Sequence, residues 1–556
     1  MSPDRFANFS ELPRLEAIDG LVNPLADERA ARAWVLALPR ANAQLTQVRL
    51  HDMLNALLRV PLAPASRLKI LELLRGPVLE AVAHLEREFV GGSLPLSGSR
   101  AKAAELAETF HLLLGHGYRR AAAELCSKQG RVPWLGGGAV ACALQRSLAH
   151  YARALEEAWR VYRQPAHSIW QGLHRAYGFA EHVGLDRRPV DDAQQGNRID
   201  PRTIYVRTLV AALANPYSFA QSEQVEVIQV ATAYAPLCEL VSSQPDEACA
   251  LVPDDADLPP GSDAEGVPGR WLSIAPLVTA IEIVLAASDA ATVDLTPHKG
   301  ITARIGRAAL VRLERSLGQA AARDHRRMAA GHQVEAVIGM SSLHYFLAGG
   351  LDFESFVRHC EASAPQFSDR AVWTHGAGEL ARVPVLPARV LDQSLGGYRL
   401  SWPSSLPVRA RVGELIGVSF PGDSDAARSW MVGVIRWLRT DDDVQVVAGV
   451  ELLARRARAV GLRATVTDGH LRPLVRAIEL DRLDGSGRRC FVAANDTEMT
   501  QVRVDVIRDP TRESDPDATD RADTFTGLKP WSNAGEYQLL CAAQSVEGDA
   551  ESGPSG

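Results

Sequence analysis

The spacing of apolar residues changes once along these 556 residues, and that change limits the fold more than any other feature. From about residue 14 to residue 245, apolar positions recur at intervals of three and four in segments rich in Ala, Leu and Arg. This spacing predicts amphipathic helices. Leu71, Leu74, Val78, Val82, Leu85 and Phe89 share one such face, with a break expected at Pro77. Ala141 to Arg163 and Ile169 to Val183 continue the pattern, and no fixed repeat joins these helices. After Gly331 the texture becomes β-branched and alternating, in the runs VEAVIGM, PARVLDQSLGGYRL, VGELIGVSF, SWMVGVIRWL and VQVVAGVELL. Runs of this kind, separated by Gly or Asp clusters, predict an antiparallel β-barrel.

The expected fold class is therefore multidomain α+β: an all-α N-terminal region, an antiparallel barrel, and a second small β-rich module. The helical stack covers residues 1–250. Residues 251–322 hold an exposed Pro/Asp-rich loop between two short strands, then an Arg-rich connecting helix over about Thr302 to Ala322. The barrel covers residues 323–460, with an insertion at about 342–380. The second β-rich group, VRAIELDRL to GEYQLLCA, covers 466–543 and contains a polar loop at 509–523. Residues 544–556 read as a disordered tail.

Composition excludes several classes. Hydrophobic residues make up 46% and charged residues 23%, which is ordinary for a globular chain. The net charge of −7 is too weak for a dedicated nucleic-acid binder, and all of it resides after residue 465. The N-terminus lacks the pattern of a secretory leader, and the longest apolar stretch, Ala275 to Ala287, is too short to span a bilayer and contains Glu282. Seven scattered cysteines without metal-like spacing fit a reducing, cytoplasmic setting, each thiol acting as a small buried hydrophobe. There is no phosphate loop, no HExxH and no GxSxG, and the fifteen histidines show no ligand spacing. Gly136 to Gly138 read as an interhelical turn. An enzyme is not expected, and neither is a metal or cofactor.

One constellation carries chemistry. Arg323 and Arg327 form RxxxR (RDHRR) just before the first strand of the barrel, and Asp392, Ser394 and Gly397 form DxSxxG (DQSLGG) between two strands. Arginine forks bind phosphate or the O6/N7 edge of guanine bidentately. Asp392 can accept from guanine N–H groups, Ser394 can bond a phosphate oxygen or brace the turn, and Gly397 supplies a positive φ or room for a ligand. Residues 302–327 hold seven arginines against two acids, a field that attracts anions.

In order, these motifs resemble the two signatures of the PilZ domain, a β-barrel family that binds the bacterial second messenger cyclic di-GMP. The resemblance covers about Arg323 to Val460 and implies a ligand site at Arg323, Arg327, Asp392, Ser394 and Gly397, with Arg326, Gly396 and Arg436 as auxiliary contacts. It further implies an effector in motility, adhesion or biofilm control, coupled to a protein partner through the helical region. The alternative is a PilZ-like interaction scaffold that does not bind nucleotide. The sequence departs from the family in placing 64 residues between Arg327 and Asp392. An insertion after the first strand accounts for this, since loop length costs little in closure entropy. Otherwise the barrel starts near Arg382 and the RxxxR belongs to the helices.

Overall fold

The computed structural model describes residues 4–12, 27–92, 94–96, 98–194, 197–261, 266–298, 301–318, 328–363, 383–403, 405–406, 408–421, 429–440, 445–465, 471–482, 489–494, 499, 502–509, 524–534 and 537–542. Contacts divide the chain into two compact units, residues 1–322 with 439–442, and residues 323–438 with 443–556.

The first unit begins with helices α1 (Asp4–Ser10), α2 (Glu28–Leu36), α3 (Ala43–Arg59), α4 (Pro64–Phe89), α5 (Gly98–Leu125), α6 (Gly137–Arg160) and α7 (Ile169–His182). A short hairpin, β1 (Val190–Asp192) and β2 (Asn197–Ile199), then leads to α8 (Pro201–Leu213) and α9 (Gln221–Tyr234). Local chemistry sets several starts. The side chains of Asp27, Asn42 and Asp200 accept from backbone N–H groups three residues on, the N-cap arrangement that satisfies orphan donors. Pro201 at the first position of α8 loses no helical bond. The break expected at Pro77 does not occur. One missing hydrogen bond is outweighed by the burial of Leu71, Leu74, Val78, Val82, Leu85 and Phe89 along α4.

Residues beyond 238 add a three-stranded sheet, β3 (Glu239–Val241), β4 (Cys249–Pro253) and β5 (Gly269–Ser273), ordered β3-β5-β4. Helix α10 (Ala275–Ala287), the hairpin β6 (Thr292–His298) and β7 (Ile301–Gly306), and helix α11 (Arg307–Leu317) follow. All these elements share one hydrophobic core with the helical stack. The Pro/Asp-rich loop is more than an exposed connector: Asp257 accepts from the backbone N–H groups of Ser168 and Gln171. It thereby caps α7, whose own N-cap side chain does not.

The helix expected over Thr302 to Ala322 is corrected. Ile301–Gly306 pair with β6 as a strand, and the helix starts only at Arg307. The alternating side chains of this segment satisfy a strand, so tertiary pairing decides. Three of its four arginines are also engaged rather than free to attract a ligand. Arg304 pairs with Asp294 at 2.9 Å, Arg307 with Asp289 at 3.2 Å, and Arg312 with Glu223.

The interior of this unit contains a polar network. Arg75 binds Asp192 bidentately at 2.8 and 2.7 Å and donates to His150 at 3.2 Å, and His150 lies 3.0 Å from His111. Burial pushes both imidazoles well below their usual range. The Asp192 carboxylate thus ties the β1–β2 hairpin to α4.

The second unit contains β8 (Met328–Ala329), β9 (Gln333–Ile338), helices α12 (Met340–Leu347) and α13 (Phe353–Ser363), β10 (Leu386–Ser394), β11 (Gly397–Pro403), β12 (Leu415–Ser419), β13 (Met431–Thr440) and β14 (Gln445–Thr465). The strands run in the order β11-β10-β9-β12-β13-β14, and pairing of β11 with β14 closes a six-stranded antiparallel barrel. Val334, Ala336, Ala388, Val390, Leu400, Ile416, Val418, Ala448 and Val450 are buried in it. Because β9 precedes α12 and α13 and pairs with both β10 and β12, the barrel begins before the inserted segment and not near Arg382. The polar stretch expected after Asp352 starts with α13, and residues 364–382 lie outside the described residues.

Strand β14 is 21 residues long and leaves the barrel to pair with β15 (Val475–Arg482) and β17 (Arg503–Ile507). With β16 (Cys490–Ala494), β18 (Thr524–Phe525), β19 (Leu528–Ala534) and β20 (Tyr537–Ala542), the C-terminal strands thus join the same hydrogen-bonded sheet. The cysteine reading is corrected here. Cys490 and Cys541 are register partners, with Cα atoms 4.2 Å apart, and form a disulfide. The other five cysteines are free.

Candidate functional site

Strands β10 and β11 form a tight hairpin whose two-residue loop is Leu395–Gly396. The register pairs Ser394 with Gly397, Gln393 with Tyr398 and Asp392 with Arg399, after a bulge between Val390 and Asp392. On the far side of β11, Gly397 pairs with Glu451 and Arg399 with Gly449 of β14. Alternate residues of a strand share a face. Asp392, Ser394, Gly397, Arg399, Gly449 and Glu451 therefore lie on one face of the barrel, opposite the buried Val390, Leu400 and Ala448. Elsewhere the outer wall is covered: Val337, Leu415, Val432 and Val434 pack with Met340 and Leu343 of α12 and with Ile478 and Leu480 of β15.

The face has defined chemistry. Asp392, with 17% of its side chain exposed, pairs with Arg399 at 3.4 Å. Arg399 Nε is a buried donor that meets no acceptor among the described residues. The half-exposed Arg436 of β13 donates to Glu451 at 2.5 Å. Its neighbour Trp437, also half-exposed, lies directly over Gly449, where a Cβ would overlap the indole Nε1, Cε2 and Cδ1 atoms. The result is an indole flanked by two guanidinium–carboxylate pairs. A flat heterocycle can stack on such an indole while charged edges meet its donors, acceptors and phosphates.

The structure brings together Asp392, Ser394, Gly397, Gly396 and Arg436 from the expected site. Arg323, Arg326 and Arg327 lie outside the described residues. Met328, immediately after Arg327, pairs with Gln393, and Ala329 with Asp392, so the chain following the RxxxR runs along the DxSxxG strand. The expected role of Gly397 changes. It has no positive φ, and a side chain there would overlap the Val450 carbonyl oxygen. Its room is taken up by barrel closure between β11 and β14. Sequence reasoning missed Arg399 and Trp437. Arg399 sits two residues after Gly397 on the same face, a signal that a register assignment would have exposed, whereas nothing in sequence placed Trp437 over Gly449.

Comparison with known proteins decides the family. A model of the middle PilZ domain of the cyclic-di-GMP receptor FimW matches residues 268–377 and 374–459, which include the whole barrel wall described above. The chain carries a PilZ domain. A model of the N-terminal domain of the same receptor matches residues 29–246, the helical stack preceding the PilZ domain. The cyclic-di-GMP receptor FimW of Pseudomonas aeruginosa (strain PAO1) is 25% identical over 491 residues, 79% of each chain. The match to the PilZ domain begins at residue 268, so it includes α10, β6, β7 and α11, which the structure packs into the core of the first unit.

Proposed function

We propose that this protein is a non-enzymatic, cytoplasmic effector that binds cyclic di-GMP on the β10–β11–β14 face of its PilZ barrel. The observation that carries the reading is order: models of two consecutive domains of one cyclic-di-GMP receptor match this chain in sequence, the second across the DQSLGG hairpin. Arg323 and Arg327 supply forks for the phosphodiesters or guanine O6/N7, and Asp392 accepts from guanine N–H groups. Ser394 braces the turn, Gly396 and Arg436 border it, and Arg399 offers its unmet donor. The ligand is regulatory rather than a cofactor. It selects the arrangement of the chain that binds it more tightly, with a coupling of about 1–3 kcal/mol passed to a protein partner of the helical region. Motility, adhesion or biofilm control is the process this reading favours. Titration of the intact chain with labelled cyclic di-GMP tests it, with the Arg323→Ala/Arg327→Ala double variant as control. The absence of saturable binding by the intact chain sinks it.

A further inference from the structure

The connection between α5 and α6 carries a feature that the ligand site does not use. Trp134 and Leu135 are 95% and 88% exposed, side by side at a turn closed by the Gly136 N–H on the Pro133 carbonyl. The turn is held from below. Gly130, at φ +76°, lies so close to the Phe6 ring that a Cβ there would overlap it. Val132 packs against the core, and Gly136 is the N-cap of α6. The two apolar side chains are thus carried outward on a fixed base.

The exposed charges closest to the tip in sequence are basic. Residues 126–138 contain Lys128 and Arg131 and no acid. The Arg188 guanidinium lies over the start of α6, with Nη1 2.9 Å from where a Cβ would sit on Gly137. Lys128, Arg131, Arg187 and Arg188 are all exposed. Among the described residues, only Arg187 makes an ion pair, with Asp186 at 3.9 Å. Three residues of chain span at most about 11 Å, so Arg131 lies within that reach of Trp134.

We propose that this Trp134–Leu135 tip is a peripheral docking element for an anionic bilayer surface. A convex apolar pair has no need of a shaped pocket in a lipid interface, where Trp is favoured, and the collar of exposed cations complements anionic headgroups. No helix among the described residues is long and apolar enough to cross a membrane, so the contact lies on the surface. It is independent of the ligand reading.

The test is co-sedimentation of the full chain with vesicles of phosphatidylcholine containing roughly one part in three phosphatidylglycerol, against pure phosphatidylcholine. Binding to the anionic vesicles is expected, falling about 30-fold in Arg131→Gln/Arg188→Gln, from about fivefold per cation. A loss of at least about tenfold is expected in Trp134→Ala/Leu135→Ser. Because both side chains already face water, urea unfolding of these variants should match wild type. No binding to anionic vesicles, or binding that neither double variant weakens, overturns the proposal. Absence of vesicle binding together with a Trp134-dependent change in sedimentation coefficient overturns it in favour of a protein partner.

Discussion

Replacing Gly449 with alanine removes the indole from the candidate ligand face without altering the DxSxxG turn. The added methyl overlaps only side-chain atoms of Trp437, so the ring can swing aside at an overpacking cost of about 1–3 kcal/mol. If Trp437 stacks on one guanine, the variant loses about 1–3 kcal/mol of ligand binding. At 1.4 kcal/mol per factor of ten, that is about 5- to 150-fold in affinity. Trp437→Ala should weaken binding by a similar factor. Gly397→Ala provides the contrast, because its methyl meets the backbone carbonyl of Val450. That oxygen cannot move without parting β11 from β14, so the cost of about 2–4 kcal/mol falls on stability. Isothermal titration with cyclic di-GMP and urea unfolding, run on the three variants, separate the two effects. Wild-type affinity in both Gly449→Ala and Trp437→Ala would refute the stacking role of the indole and the geometry argued from it.

Four further expectations concern stability. Asp192→Ala strands the buried Arg75 guanidinium and should cost about 3–5 kcal/mol by urea unfolding, with the loss shared by the β1–β2 hairpin and α4. Burial lowers His116 and His174 to about 4; both stay neutral when folded, so the stability present above pH ~6.5 is lost on acidification, by about 2 kcal/mol each at pH 5. Burial also raises Glu157 to about 8, and this group works in the opposite sense: its stabilisation is full below pH ~4.5 and is lost as pH rises through 8. Glu157→Gln should therefore raise the urea midpoint at pH 8 relative to wild type, and a fall there would refute the assignment. The Cys490–Cys541 disulfide closes 51 residues of chain, so reduction or Cys541→Ser should cost about 2–5 kcal/mol, read as a lower thermal midpoint in reductant.

Much of the fold was legible because periodicity is local. The helices α4, α6 and α7 and the strands β9 to β17 fall where apolar spacing places them, and the second run held a complete hairpin because its glycines mark the turn. The errors have a common origin. Ile301–Gly306 read as helix because a short apolar segment satisfies either period, and pairing with β6 decided it. Pro77 read as a break because the cost of a lost hydrogen bond is visible in sequence and the burial that offsets it is not. Cys490 and Cys541 face each other only through the β16–β20 register.

The sequence by itself determined the division into helical and β-rich regions, the DxSxxG hairpin, and the resemblance to a cyclic di-GMP-binding family. Those properties depend on residues near one another in the chain. Tertiary structure alone decided which side chains share a face with Asp392. Register across β10, β11 and β14 placed Arg399 beside it, and the bare backbone of Gly449 admitted Trp437. It also assigned the space at Gly397 to barrel closure rather than to a ligand. Shifting any strand by one residue would send each of these groups to the opposite face, which is why contacts of long sequence separation could not be read in advance.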